Sequence, residues 1–321
     1  MSSTLSVSQL VIGSAPDSFQ LDELAALYHG QAERDTRDYV RSWICPSCKK
    51  EYKPIENILV DLPPYECKDC GLKNDAVYDW KISKTIFNKV SLDFKIYDQA
   101  NKRHCTLYAV AAVVDVSRRV EAAKRGILAA TPLDVIEMVT VYSDLTGLIF
   151  GLEPPEKLYK EYDNAPFVLE TFKSPGIPLM IGPYDEMVKK DSADPIPRLR
   201  IKSYFSVDAS NVPMVTRLLA SGYPLVASIR TGCLFEYLKG DQYYYSKREA
   251  VLPRRTAENE LHSVAVIGCG LASKNNKPEI FYSVRDSKGI EAHSHYQKRN
   301  FGGDFYAWSS DVIDLWGLYL A

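Results

Sequence analysis

The sequence predicts an α+β fold: a two-lobed domain with a helical half at about 77–205 and a β-rich half at about 206–321. A small module at 43–76 and an N-terminal extension at 1–42 precede it. Three observations lead there. A long helical run, TLYAVAAVVDVSRRVEAAKR, follows Cys105, and strand-like runs gather in the last third of the chain. Helical and strand segments also fail to alternate as a doubly wound parallel sheet requires.

Taken in order, residues from about 20 to 43 read as an amphipathic helix, with Leu21, Leu24, Ala25, Leu27, Tyr28 and Tyr39 at helical spacing among charges. It has the character of a packing arm. Residues 43–76 hold too little apolar content for a core of their own and need a staple. The run after Cys105 is apolar nearly all round in its middle, which predicts a buried helix. It stops at Gly126 with Lys124 and Arg125 in its last turn, as the helix dipole and a glycine stop favour. A second helix is predicted to open at Thr131-Pro132-Leu133-Asp134, with a capping residue, then proline at the first helical position, and to run through Val139 or beyond. A short helix over 211–221 ends at Gly222, and strands are predicted at 224–230, 243–245, 263–268 and 279–285, separated by turns rich in Gly, Asn, Asp and Lys.

With 46% hydrophobic and 25% charged residues in a chain of 321, the composition is that of a globular protein and excludes fibrous and disordered classes. A formal net charge of −2 gives no global attraction to nucleic acid, and no basic stripe is visible. The first residues lack the basic and apolar regions of a secretion signal, and no later stretch has the roughly 18 consecutive apolar residues of a membrane span. A cytoplasmic or nuclear protein is the expectation, with no membrane association.

Four of the seven cysteines form two C-x2-C pairs, Cys45/Cys48 and Cys67/Cys70, the second followed by Gly71. Four thiolates so spaced close a tetrahedral shell around one Zn2+, and a closed four-cysteine shell is structural, with no open position for catalysis. Lys49, Lys50, Lys53, Lys68 and Lys73 around the pairs are balanced by Glu51, Glu56, Asp61, Glu66, Asp69 and Asp75. The module therefore reads as a mixed-charge, solvated surface, open to a protein partner and unsuited to nucleic acid.

Chemistry must come from elsewhere. Cys105 stands where a long helix begins, and the dipole favours an anion there. Alone it would read as a packed core cysteine. The run DQANKRHCTLYAVAAVV, however, resembles the active-site segment of the papain family of cysteine peptidases, with Gln99 six positions before Cys105. LHSVAVIGCG is similar to the family's strand bearing the base histidine, here His262, and EIFYSVRDSKGIEA to the next strand and turn, with Asp286 where the family has asparagine. The 157 residues from Cys105 to His262 (262 minus 105) slightly exceed the roughly 130–150 of papain-type enzymes.

The resemblance spans about 78–321 and implies a papain-like fold with a helical lobe, a β-barrel-like lobe and a cleft between them for a protein or peptide substrate. It implies Cys105 as nucleophile, His262 as base, Asp286 as the group orienting the imidazole, Gln99 as oxyanion donor, and Gly151 and Leu152 as a substrate-binding pair. Aspartate in the third place accepts the imidazole N–H bond and adds a charge that favours imidazolium.

The chain departs from the family at several points. Lys102-Arg103-His104 and Thr106 flank the cysteine in place of glycines and tryptophan, and Lys288 replaces the tryptophan that shields the histidine. Matching the small residues of the helix instead of the Gln99 spacing would put Leu107 at the nucleophile's place. That register implies an inactive papain-fold binding module, the alternative to a peptidase. His29, His104, His293 and His295 read as surface residues, the last two close enough to Asp286 to line the cleft.

Overall fold

The computed structural model describes residues 43–44, 48, 51–52, 65–66, 69–71, 73–74, 78–84, 86–87, 89–100, 104–127, 132–146, 164–180, 197–220, 222–232, 235–238, 243–244, 260–274, 277–293 and 302–321. The helix expected near residues 20–43 lies outside them. Two small antiparallel hairpins come first, β1 (Trp43–Ile44) with β2 (Glu51–Tyr52) and β3 (Tyr65–Glu66) with β4 (Lys73–Asn74). Strand β5 (Tyr78–Lys81) and the hairpin of β6 (Ile86–Phe87) and β7 (Val90–Ser91) lead to an extended segment at 92–99.

Helix α1 (Cys105–Lys124) starts at the cysteine itself and stops before Gly126, which has φ +70°. Its apolar run is buried as expected: Val110, Val113, Val114 and Val116 are all 0% exposed. Each such side chain contributes roughly 1.5–3 kcal/mol relative to an exposed one. Helix α2 (Val135–Thr146) begins later than the sequence suggests. Asp134 and not Thr131 is its cap, accepting the Glu137 N–H at 3.1 Å, because Leu133 is engaged in a β-bridge with Leu179. Helix α3 (Ala165–Thr171) was not anticipated, although Asn164 caps it by accepting the Phe167 N–H and Pro166 stands in its first turn.

The short pair β8 (Ile177–Pro178) and β9 (Arg198–Leu199) precedes β10 (Ile201–Val207), α4 (Val212–Ala220), β11 (Leu225–Thr231), β12 (Tyr243–Tyr244), β13 (Glu260–Lys274), β14 (Lys277–Arg285), β15 (Asp304–Trp308) and β16 (Val312–Leu320). These strands build one eight-stranded sheet in the order β10-β16-β11-β13-β14-β15-β12, with β5 paired to β13. Strand β13 organises it. Its first half pairs with β11, Ile229 opposite His262, and its second half lies between β5 and β14. Helix α1 packs on β13, β11 and β16, so the core joins Val110 and Val113 of the helix to Val264, Val266, Ala227 and Leu315 of the sheet. The chain is therefore mixed α+β with a large sheet, as expected. No helix among the described residues is long and apolar enough to cross a membrane.

Two clamps hold the ends of these elements. Thr106 Oγ1 and Ser263 Oγ lie 2.8 Å apart in the buried interface, tying the first turn of α1 to β13. Arg285 Nε and Nη2 form a two-pronged contact with Asp304, at 2.7 and 3.1 Å, while Nη1 donates to the Phe94 carbonyl at 2.6 Å. That fork fixes the end of β14, the start of β15 and the 92–99 segment together. Beside it Gly303 adopts φ +86°, where an added Cβ would meet Ile96 Cγ2 at 2.6 Å. Gly303→Ala is expected to lower stability by about 1–3 kcal/mol, read as a lower midpoint in thermal unfolding.

Candidate active site

The start of α1, the start of β13 and the turn after β14 bring three residues far apart in sequence together. Cys105, buried at 7% exposure, hydrogen-bonds His262, whose Nε2 lies 2.7 Å from Asp286 Oδ1. With Nε2 committed to the carboxylate, Nδ1 is the ring nitrogen left for the thiol. Leu107 lies instead in the hydrophobic core at 1% exposure, and Cys105 is the residue that meets the histidine.

Asp286 is almost wholly buried, and its carboxylate gathers donors. Oδ1 takes His262 Nε2 and the Ser287 backbone N–H, both at 2.7 Å, and Oδ2 lies 2.9 Å from His293 Nε2. Its own N–H donates to Gly303 O at 2.7 Å, which sets the turn. Burial opposes ionisation, but the charge and hydrogen bond of His262, followed by those of His293, hold the carboxyl well below the usual carboxylate range. For His262, burial works against the charged ring. The Asp286 charge and hydrogen bond, with the Cys105 thiol, outweigh it and push the imidazole up to about 10.

Gln99 is brought alongside. It is buried at 7%, its N–H donates to Ser287 O at 2.7 Å, and its side-chain Oε1 accepts the Ser287 hydroxyl. With Oε1 so held, the amide presents its NH2 end elsewhere. Ser287 thus touches both the Asp286 carboxylate and Gln99. It was not singled out from sequence, although it follows Asp286 in the resembling run.

One expectation is corrected. His293 is not a surface residue: it is 6% exposed, with Nδ1 3.0 Å from the Leu238 carbonyl and Nε2 on Asp286. Lys288 stands in the tryptophan's place, and the ring beside His262 comes from elsewhere in the chain. Phe235, on a short 3-10 turn (Phe235–Tyr237), sets its ring edgewise 5.3 Å from His262 and 5.2 Å from His293, and Phe305 backs both Phe235 and His293. The Lys288 ammonium lies 5.5 Å from the centre of the Phe235 ring. An aromatic shield exists but comes from a different part of the chain. His104 is partly buried at the cap of α1, without a side-chain capping bond.

Gly151, Leu152, His29 and His295 lie outside the described residues, as do Cys45 and Cys67. Cys48 and Cys70 are exposed, each between the strands of its own hairpin, and Gly71 takes φ +67°. Among the described residues no cluster of three or more possible metal ligands occurs.

No protein-family model matches the chain, and no curated protein matches it significantly. Solved structures similar to it include procathepsin B of Trypanosoma congolense, at 12% identity over 95% of this chain and 99% of that chain, TM-score 0.49. They also include digestive procathepsin L 3 of the Tenebrio molitor larval midgut (12% identity, 97% of this chain and 84% of that chain, TM-score 0.46). Xylellain, a cysteine protease from Xylella fastidiosa, matches at 15% identity over 88% of this chain and 97% of that chain, TM-score 0.46.

The buried carboxylate makes a stability prediction. A depressed native Asp286 contributes stability that is present above about pH 3.9 and lost as pH falls below it. A raised native His262 contributes stability present below about pH 6.5 and lost as pH climbs toward 10. Their joint contribution is therefore greatest between those two values. Asp286→Ala, which strands both histidines, is expected to cost about 3 kcal/mol or more in urea unfolding within that window, and less outside it on either side.

Proposed function

We propose that this chain is a cysteine-type peptidase that hydrolyses peptide bonds with Cys105 as nucleophile, His262 as proton carrier and Asp286 as the orienting acid. One observation carries the reading: a thiol at a helix start hydrogen-bonded to an imidazole that is itself held, buried and shielded, on an ionised carboxylate. A packed core cysteine needs none of these partners.

The thiolate sulfur attacks the carbonyl carbon of the scissile bond, and the carbonyl electrons move to oxygen. The Gln99 amide and the Cys105 backbone N–H are the donors for that oxygen. His262, as imidazolium, gives its Nδ1 proton to the amine nitrogen as the carbon–nitrogen bond breaks. Water then attacks the thioester, His262 takes its proton, and the thiolate leaves with the acid product. Asp286 keeps the ring turned through both half-reactions and favours its protonated form before the amine leaves and after water has attacked. The substrate is an extended protein or peptide segment in a papain-like cleft between the two lobes, with Gly151 and Leu152 as its backbone contacts.

The N-terminal module is assigned one structural zinc on Cys45, Cys48, Cys67 and Cys70. The two hairpins support this: each C-x2-C run falls between paired strands, Trp43 opposite Tyr52 and Tyr65 opposite Asn74, and Gly71 supplies the left-handed turn after the second pair. The ion would staple residues 43–76, which lack a core, and leave a surface for a protein partner. A reducing compartment, cytoplasm or nucleus, suits both the thiolates and the nucleophile.

Two measurements test these assignments. In a quenched peptide library the reduced wild type is expected to cleave. Cys105→Ala should abolish cleavage and His262→Ala reduce kcat/KM by about 10²-fold or more. Because His262 keeps its proton up to about pH 10, kcat/KM should hold through mildly alkaline pH and fall as pH rises through about 10. Cleavage unchanged in Cys105→Ala would contradict the assignment. Elemental analysis should find one zinc per chain, lost in Cys48→Ser together with Cys70→Ser; a metal-free but folded wild type would remove the zinc from the account.

A further inference from the structure

His293 faces two acceptors. The Leu238 carbonyl, 3.0 Å from Nδ1, can only accept, and an ionised Asp286, 2.9 Å from Nε2, can only accept. A neutral imidazole carries one N–H and satisfies one of them. The ring is enclosed at 6% exposure by Phe235 and Phe305, so no bulk water stands in for the missing donor. Both contacts are satisfied together when both nitrogens carry protons.

The backbone points the same way. His293 has φ +57°, a left-handed conformation that a side-chain-bearing residue adopts at some cost. It sits there because the turn ending at Ala292, whose carbonyl accepts from Gly303 N–H, aims its side chain inward at Asp286.

Charge balance gives the arrangement a purpose. With an asparagine as third member, a thiolate and one imidazolium sum to zero. With aspartate the buried set carries a surplus negative charge, and a second imidazolium on the far oxygen of the same carboxylate cancels it. We propose that His293 is a positioning residue of the catalytic apparatus: as an imidazolium it holds Asp286 Oδ2, offsets the acid's charge, and pins the Leu238 carbonyl so that Phe235 covers His262. This rests on the peptidase reading, and it explains how the chain uses aspartate without the family's tryptophan shield.

The test has two arms that fail separately. In the full-length wild type labelled with ¹⁵N-histidine, long-range nitrogen–carbon-bound-proton spectra at neutral pH should show one imidazole with both nitrogens protonated and with NOEs to the ring protons of both Phe235 and Phe305. A neutral tautomer for that ring overturns the proposal whether or not the protein cleaves peptides. In the kinetic arm, His293→Gln should lower kcat roughly tenfold or more with KM little changed. Adding Asp286→Asn to it should recover activity, because the surplus charge is gone. Simple multiplication of the two losses overturns the proposal, since a histidine that acts through the charge of Asp286 cannot lose its effect independently of that charge. If wild type cleaves nothing, the peptidase reading fails, and the spectrum alone decides the state of His293. If His293→Gln does not fold, the wild-type spectrum decides as well.

Discussion

Asp286 is a carboxylate taken almost completely out of water, and moving an ionised carboxylate into a protein interior costs several kcal/mol unless donors replace its hydration. The surrounding chain supplies those donors from three places: His262 from β13, His293 from the turn beyond β14, and the N–H of Ser287 next door. Each depends on something further out. The turn is held by the Asp286 N–H on Gly303 O, and Gly303 precedes Asp304, which Arg285 grips with two nitrogens. The carboxylate can stay charged only while this frame stays closed.

Strand β13 transmits that frame to the thiol. It is long enough to pair with β11 along its first half and with β5 and β14 along its second, which fixes the position of His262. Helix α1 is pressed on the same strand by its valines and pinned by Thr106 on Ser263, one residue beyond each member of the Cys105–His262 pair. Thr106, which departs from the resembled family, thus has its own work as a polar rivet between helix and sheet. Packing and chemistry share the same contact line.

Much of this was legible in the sequence and some was not, for identifiable reasons. The helix after Cys105 could be read because its apolar run is local, and Cys105, His262 and Asp286 because each lies in a run with recognisable neighbours. The start of α2 is ambiguous in sequence because Thr131 and Asp134 are both good caps, and the choice is made by Leu133 pairing with Leu179, a non-local event. The strands β10, β15 and β16 have mixed patterns that declare themselves only through their partners. His293 stands in a polar turn and reads as a surface histidine; its burial is decided by Leu238, Phe235 and Phe305, none near it in sequence. The same distance hides the shield over His262, since Phe235 covers it from outside the run that holds Asp286 and Lys288.

If the carboxylate-held imidazole activates Cys105, the thiol should react with a cysteine-protease epoxide inhibitor, and intact-mass labelling reads that reaction. A single adduct per reduced, folded chain is expected, located on Cys105 and lost in His262→Ala. A wild type that stays unlabelled, or a His262→Ala variant labelled at the wild-type rate, would contradict it.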